Sequence, residues 1–212
     1  MPMNATMIGN TLKELGFDEG SIVETILVSL NHDGSYNAAP MGVRYIEGFI
    51  EASPYKTSNT CANLHRGNQA ALNITDDPLL FLYTAFKDEL GNKNICDWTI
   101  EGAYATILLE KQYEYPLSDL QVGFKLSPTE VILHNNLPRV FSRGRSEAIE
   151  AVIHATRIKV FHSEGLEEKT SELLRRLDDC FNVIARVSSK DSPEMHVVET
   201  LSKLLQSWGI QR

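Results

Sequence analysis

The hydrophobic period of this chain changes once, near Pro138. Before it, apolar residues recur at every second position in short runs broken by Gly, Asp, Asn and Pro; after it they recur at helical spacing. A period of two belongs to strands and a period near 3.6 to helices. The chain is therefore expected to be α+β and mainly β: an antiparallel barrel over residues 1–138, then a three-helix extension over 139–212.

Ser21 to Asn31 reads SIVETILVSLN and is apolar on both faces, as a strand inside a barrel or sheet should be. Asp33-Gly34 supplies the positive φ of a tight turn, and Asn37 to Ile46 (NAAPMGVRYI) returns. Glu47-Gly48 turns the chain again into Phe49 to Ala52. Thr57 to Gly67 reads as a short helix capped by Thr57 or Ser58 and stopped by Gly67. Gln69 to Thr75, Leu79 to Ala85, Ala103 to Tyr113, Gln121 to Leu126 and Glu130 to His134 read as further strands, and Lys87 to Asn94 as a loop.

Behind Pro138, Ile149, Val152, Ile153, Thr156 and Val160 share one helical face. Leu166, Thr170, Leu173, Leu174, Leu177, Phe181 and Ile184 make a second stripe. Val197, Val198, Leu201, Leu204, Leu205 and Trp208 make a third, opened by the cap pair Ser192-Pro193. Such stripes are core.

Charge narrows the partners. The chain carries 20 Lys+Arg against 28 Asp+Glu, a net charge of -8. Residues 141–212 hold 11 of each sign, so all of the excess lies on the predicted barrel. Neither nucleic acid nor an anionic membrane suits such a surface. Apolar runs such as Leu79 to Tyr83 fall far short of the ~20 residues of a membrane span, and Met1 to Asn10 lack the pattern of a secretory signal. Cys61, Cys96 and Cys180 are odd in number and far apart, which argues for reduced thiols, a cytoplasmic location and no zinc site. Gly-rich nucleotide loops, a nucleophile elbow and HExxH are all absent, and the six histidines show no metal spacing.

Two segments carry chemistry. In the first, Asn37 to Arg44, the residues Ala39, Pro40, Met41, Gly42, Val43 and Arg44 combine a β-hairpin strand, small residues, a proline that cannot donate to a ladder and a terminal cation. Backbone groups there suit a flat heterocycle and Arg44 suits an anion; the plain alternative is an irregular edge strand with a solvated arginine. In the second, Pro54 to Thr60, the residues Thr57, Ser58, Asn59 and Thr60 offer hydroxyls, an amide and N–H groups at a helix start, where a phosphate is favoured; the plain alternative is capping alone.

The run from Gly20 to Arg44, ending in NAAPMGVR, resembles the FMN-binding split-barrel superfamily of flavin reductases and pyridoxamine-phosphate oxidases. A closer resemblance is to an archaeal and methylotroph family of flavoproteins of unknown function, whose C-terminal helical extension the segment Arg143 to Arg157 also resembles. The resemblance implies FMN at the interface of a homodimer, with Ala39 to Arg44 along the flavin and Thr57 to Thr60 at its phosphate. It implies an oxidoreductase or reductase acting on a small-molecule substrate or electron donor. The Arg/Lys set that binds substrate phosphate in pyridoxamine-phosphate oxidases is missing. A barrel holding haem or a deazaflavin, or a purely structural one, is the rival.

Glu147, Glu150, His154 and Arg157 fall on one helical face, at offsets of three, four and three. They fit either an ion-pair network or a pocket lining with His154 as proton donor. Trp98, beside Asp97 in a polar stretch, fits packing or the cover of a pocket.

Overall fold

A computed structural model describes residues 5–20, 22–91, 95–134 and 142–210. In chain order the elements are α1 (Ala5–Glu14), β1 (Ile22–Leu30), β2 (Tyr36–Ile46), β3 (Phe49–Ala52), α2 (Asn59–Arg66), β4 (Gln69–Ile74), α3 (Pro78–Ala85) and α4 (Lys87–Leu90). They continue with β5 (Ile95–Cys96), β6 (Thr99–Ile100), β7 (Ala105–Pro116), β8 (Val122–Leu133), α5 (Arg143–Ser163), α6 (Glu167–Val187) and α7 (Pro193–Ser207). Two compact units result: residues 1–75 with 93–137, and residues 76–92 with 138–212. Pro138, where the sequence pattern changes, lies outside the described residues.

The first unit is a closed antiparallel barrel in the order β1-β2-β3-β8-β7-β4. The expected tight turns hold: Asp33 Oδ1 accepts the Ser35 N–H (3.0 Å), and Glu47 (φ 51°) and Gly48 (φ 85°) form a two-residue left-handed turn. One face of each strand fills the interior. Leu27, Val43, Tyr45, Ile50, Leu72, Ile107, Phe124 and Leu126 meet there, joined by Cys61 and Leu64 from α2 and by Ile8, Leu12 and Phe17 from α1 and its exit. No element was expected before Ser21, so α1 is new.

Two strand expectations fail. Leu79–Ala85 is not a strand but α3. Asp77 accepts the Leu79 N–H (2.9 Å) and Pro78 takes the first helical position, whose missing N–H costs nothing. The run is apolar throughout, so periodicity could not separate the two choices. Gln121–Leu126 and Glu130–His134 are not two strands but one, β8. Pro128 pairs with Leu109 at a register shift, leaving Thr129 unpaired, so the proline is housed in a bulge. The loop expected over Lys87 to Asn94 holds the short α4; residues 92–94 lie outside the described ones.

In the second unit α5 packs against α3, α6 and α7. Residues 151–155 are buried in succession, so α5 is covered on several sides rather than on one stripe. Of the expected face only Val152 and Ile153 are buried; Ile149, Thr156 and Val160 are half-buried. The unforeseen helix α3 accounts for the extra coverage. Of the expected α6 stripe, Thr170, Leu173, Leu177, Phe181 and Ile184 are buried, and Leu166 and Leu174 are half-buried. Ser192 accepts the Met195 N–H (3.2 Å), and Pro193 opens α7 as expected.

Candidate functional site

The register of β2 sorts the first candidate segment into two faces. Met41, Val43 and Tyr45 belong to or pack on the barrel core, so the even-numbered Tyr36, Ala38, Pro40, Gly42 and Arg44 face outward. The side chains of Met41 and Val43 are therefore not placed to meet a ligand on the outer face. The Asn31 N–H donates to Ser35 O (2.8 Å), and from that bond the alternation of an antiparallel ladder makes Ile26–Pro40 a non-hydrogen-bonded pair. The missing N–H of Pro40 thus costs β1 nothing: it lies on the other edge. β3 pairs with that edge only from Val43 to Ile46, so residues 36–42 have no second strand beside them among the described residues.

The second segment adjoins the start of β2. Ser58 caps α2, accepting the Cys61 N–H (3.1 Å) and donating to Tyr55 O (2.7 Å). Thr60 is buried and accepts from Asn37 Nδ2 (3.1 Å); Thr57 and Asn59 are exposed. Asn37 also donates to Ser29 Oγ (3.2 Å), and Ser29 accepts from Asn63 (3.1 Å). Arg66 is spent locally, donating to Leu30 O and Asn63 Oδ1 (2.8 Å each). Asn37 is 1% exposed, yet its Oδ1 has no partner. Rotating the amide would leave Nδ2 orphaned instead, so one end lacks a partner either way.

The structure brings Asn37 and Thr60 together but sets Arg44 seven residues from Asn37, ~23 Å along an extended strand. Arg44 is exposed and stands opposite Glu51, which is opposite Lys125. Opposite charges across a ladder stabilise it modestly. Sequence reasoning quoted Asn37 as a segment boundary and missed it as a hub; its signal was an amide at an inward position of an otherwise apolar strand.

A family model described as a protein of unknown function (DUF447) N-terminal domain matches residues 23–135, more than half of the chain. The chain belongs to this family. Among solved structures, an FMN-bound DUF447 protein from Methanosarcina mazei is similar at 23% identity, covering 91% of this chain and 98% of its own, with a TM-score of 0.70. That likeness bears out the α+β barrel with its helical extension. A flavoredoxin from Methanosarcina acetivorans aligns at 11% identity over 56% of this chain and 72% of its own (TM-score 0.46). An FMN-binding protein from Thermus thermophilus, with bound 1-cyclohex-2-enone, aligns at 14% over 59% and 76% (TM-score 0.47).

Two members of the helical constellation, His154 and Glu150, meet. His154 is buried (5% exposed); its Nε2 lies 3.4 Å from Glu150 Oε1 and its Nδ1 has no partner. Burial holds the His154 pKa below the usual 6.5, against the pull of Glu150 and with help from Arg157 and Arg176. The unfolded chain then takes up a proton at higher pH than the native one. The stability this neutral histidine contributes is present above pH ~6.5 and is lost as pH falls through its lowered native pKa. Urea midpoints should fall from pH 8 to 5, and His154→Gln should flatten that fall; parallel curves would exclude His154 as its source.

Burial, then Glu147, pushes the Cys180 thiol up to about 12, and burial raises that of Cys61. Neither is a thiolate nucleophile at neutral pH. Among the described residues no cluster of His, Cys, Asp and Glu suits a metal, and no helix is long and apolar enough to cross a membrane.

Proposed function

We propose that this DUF447 protein is an FMN-binding flavoprotein that works as an oxidoreductase or reductase of a small molecule. The observation that carries the reading is the buried Asn37 amide, with one unpartnered end, at the junction of β2 and the start of α2. A buried amide without its full set of partners is costly, and a ligand that completes it recovers that cost. The FMN-bound family member, alike over 91% of this chain, supports flavin as that ligand.

Thr57, Ser58, Asn59 and Thr60, at the N-terminus of α2, would hold the phosphate, where N–H groups and the helix dipole favour an anion. The segment Ala39 to Arg44 would hold the ring system, with the Pro40 carbonyl and the Gly42 N–H and carbonyl on the uncovered edge of β2 and outward side chains from Pro40 and Arg44. The barrel unit, residues 1–75 with 93–137, holds 7 Lys+Arg against 13 Asp+Glu, so the phosphate depends on these local donors rather than on the general field. When bound, FMN supplies the redox chemistry itself. The chain's task is then to bind and orient it, and no side-chain nucleophile is needed. A homodimer is part of the reading, supported by the exposed Ile22 and Leu30 at the two ends of β1, and a cytoplasmic location by the three free cysteines.

The purified protein should absorb near ~370 and ~450 nm and bleach with dithionite, since the cofactor carries the colour and the electrons. Asn37→Ala should weaken FMN binding at least ~tenfold, the worth of one buried hydrogen bond to a ligand. A colourless protein that takes up no added FMN would overturn the reading.

A further inference from the structure

The turn of the β5–β6 hairpin is Asp97-Trp98, with φ of 46° and 70°. Two successive left-handed residues form the kind of turn normally given to Asn-Gly or Gly-Gly. In a tryptophan this conformation crowds Cβ against the following carbonyl, and for a bulky residue it is an outlier. The surroundings enforce it. Asn73, fully buried on the outward side of β4, donates from Nδ2 to Trp98 O (2.9 Å). Its Oδ1 accepts the Ile100 N–H (2.9 Å) and the Thr106 hydroxyl (3.1 Å). Strain held by that many bonds collects at functional positions.

The strained turn sets the Trp98 ring edge-on against Tyr36, with centroids 5.2 Å apart and planes at 68°. Both rings are only half-buried. Tyr36 begins the outward row of β2 that continues through Ala38 to Pro40, residues that rise little above the sheet, before the Glu24 carboxylate and Ile22 close over Gly42. An aromatic ledge therefore borders a low strip on the side of the strand that the flavin reading uses. The excess negative charge of the barrel half disfavours an anionic ring there.

We propose that Trp98, together with Tyr36, is the wall of a site for a flat, uncharged, conjugated ring lying over the outer face of β2. This rests on the flavoprotein reading in one respect: the ring is either that of the flavin or that of a second molecule beside it. Asn73 is then a positioning residue, acting through the turn.

Lumichrome, the uncharged tricyclic alloxazine left when a flavin loses its N10 side chain, separates these sources. It is titrated into protein stripped of FMN and into protein loaded with FMN. Binding to the stripped protein that FMN displaces identifies the flavin's own ring; binding to the loaded protein identifies a second ring. In either case Trp98→Ala should weaken lumichrome about tenfold, because a stacked aromatic face is lost with its buried area. Trp98→Phe should keep most of the affinity, and Trp98→Leu, which fills space without a π face, should behave like alanine. Circular dichroism melts establish that each variant is folded. Equal lumichrome affinity in the wild type and Trp98→Ala overturns the wall, as does Phe failing as badly as Leu. So does a wild type that takes up FMN but binds no lumichrome. A wild type that takes up no FMN counts instead against the flavoprotein reading, and the lumichrome series still judges Trp98.

Discussion

Asn73→Leu is expected to cost this protein about 3–5 kcal/mol, because it strands several buried groups at once at about 1–3 kcal/mol each. Asn73 is fully buried and makes three hydrogen bonds, to Trp98 O, Ile100 N and Thr106 Oγ1. Leucine is close in size but offers no donor or acceptor. The carbonyl of Trp98 and the N–H of Ile100 lose the partner that holds the left-handed turn, and Thr106 keeps Thr99 (3.1 Å) and His134 (3.0 Å). Thr106→Val should therefore cost less than Asn73→Leu. Urea denaturation of both variants checks the order. If Asn73→Leu loses less than about 1 kcal/mol, Asn73 is not what fixes the hairpin.

Phe124→Ala should cost a similar ~3–5 kcal/mol for a different reason, a cavity. Phe124 is fully buried in β8 at the centre of the barrel cluster, and His65 lies edge-on to it with centroids 5.3 Å apart. The six strands pair all round, so the wall cannot collapse inward to refill the space. For a chain of this length each kcal/mol lowers Tm by roughly 2–4 °C, so the melt should drop by roughly 6–20 °C. Leu133→Ala is the control: Leu133 is 59% exposed, and its loss should change stability by no more than ~0.5 kcal/mol. Equal effects of the two substitutions would contradict the barrel interior described for Phe124.

Much of the barrel could be read in advance because its turns are chemically marked. Asp33-Gly34 and Glu47-Gly48 carry the positive φ their hairpins need, and the short apolar runs between such turns marked β1, β2, β4 and β7. Reading failed where local signals were degenerate. In α3, Leu79 to Ala85 is apolar on every side, and the deciding bond is made by Asp77, outside the run. In β8, Pro128 looks like a strand break until a bulge opposite Leu108 and Leu109 houses it.

At the candidate site the adjacency of β2 and α2 was legible as two suspicious segments a strand apart. Arg44's distance from Thr60 was not, because it depends on which residues of β2 stand opposite which partners. Asn37 and Asn73 were passed over as ordinary polar residues. What sets them apart is full burial, which only tertiary structure creates.

The insertion of α3 between β4 and β7 has a consequence for synthesis. α3 belongs with α5 and α7, yet α5 begins only at Arg143, after the barrel's last strand has been made. At about 5–20 residues per second, the nascent helix waits roughly 3–12 s for its cover. During that interval Leu80, Phe81 and Leu82, all buried in the finished protein, have no α5 to lie against while the ribosome is still working. Those seconds are when a chaperone would find this chain, and Pro78 to Ala85 is the stretch it would hold.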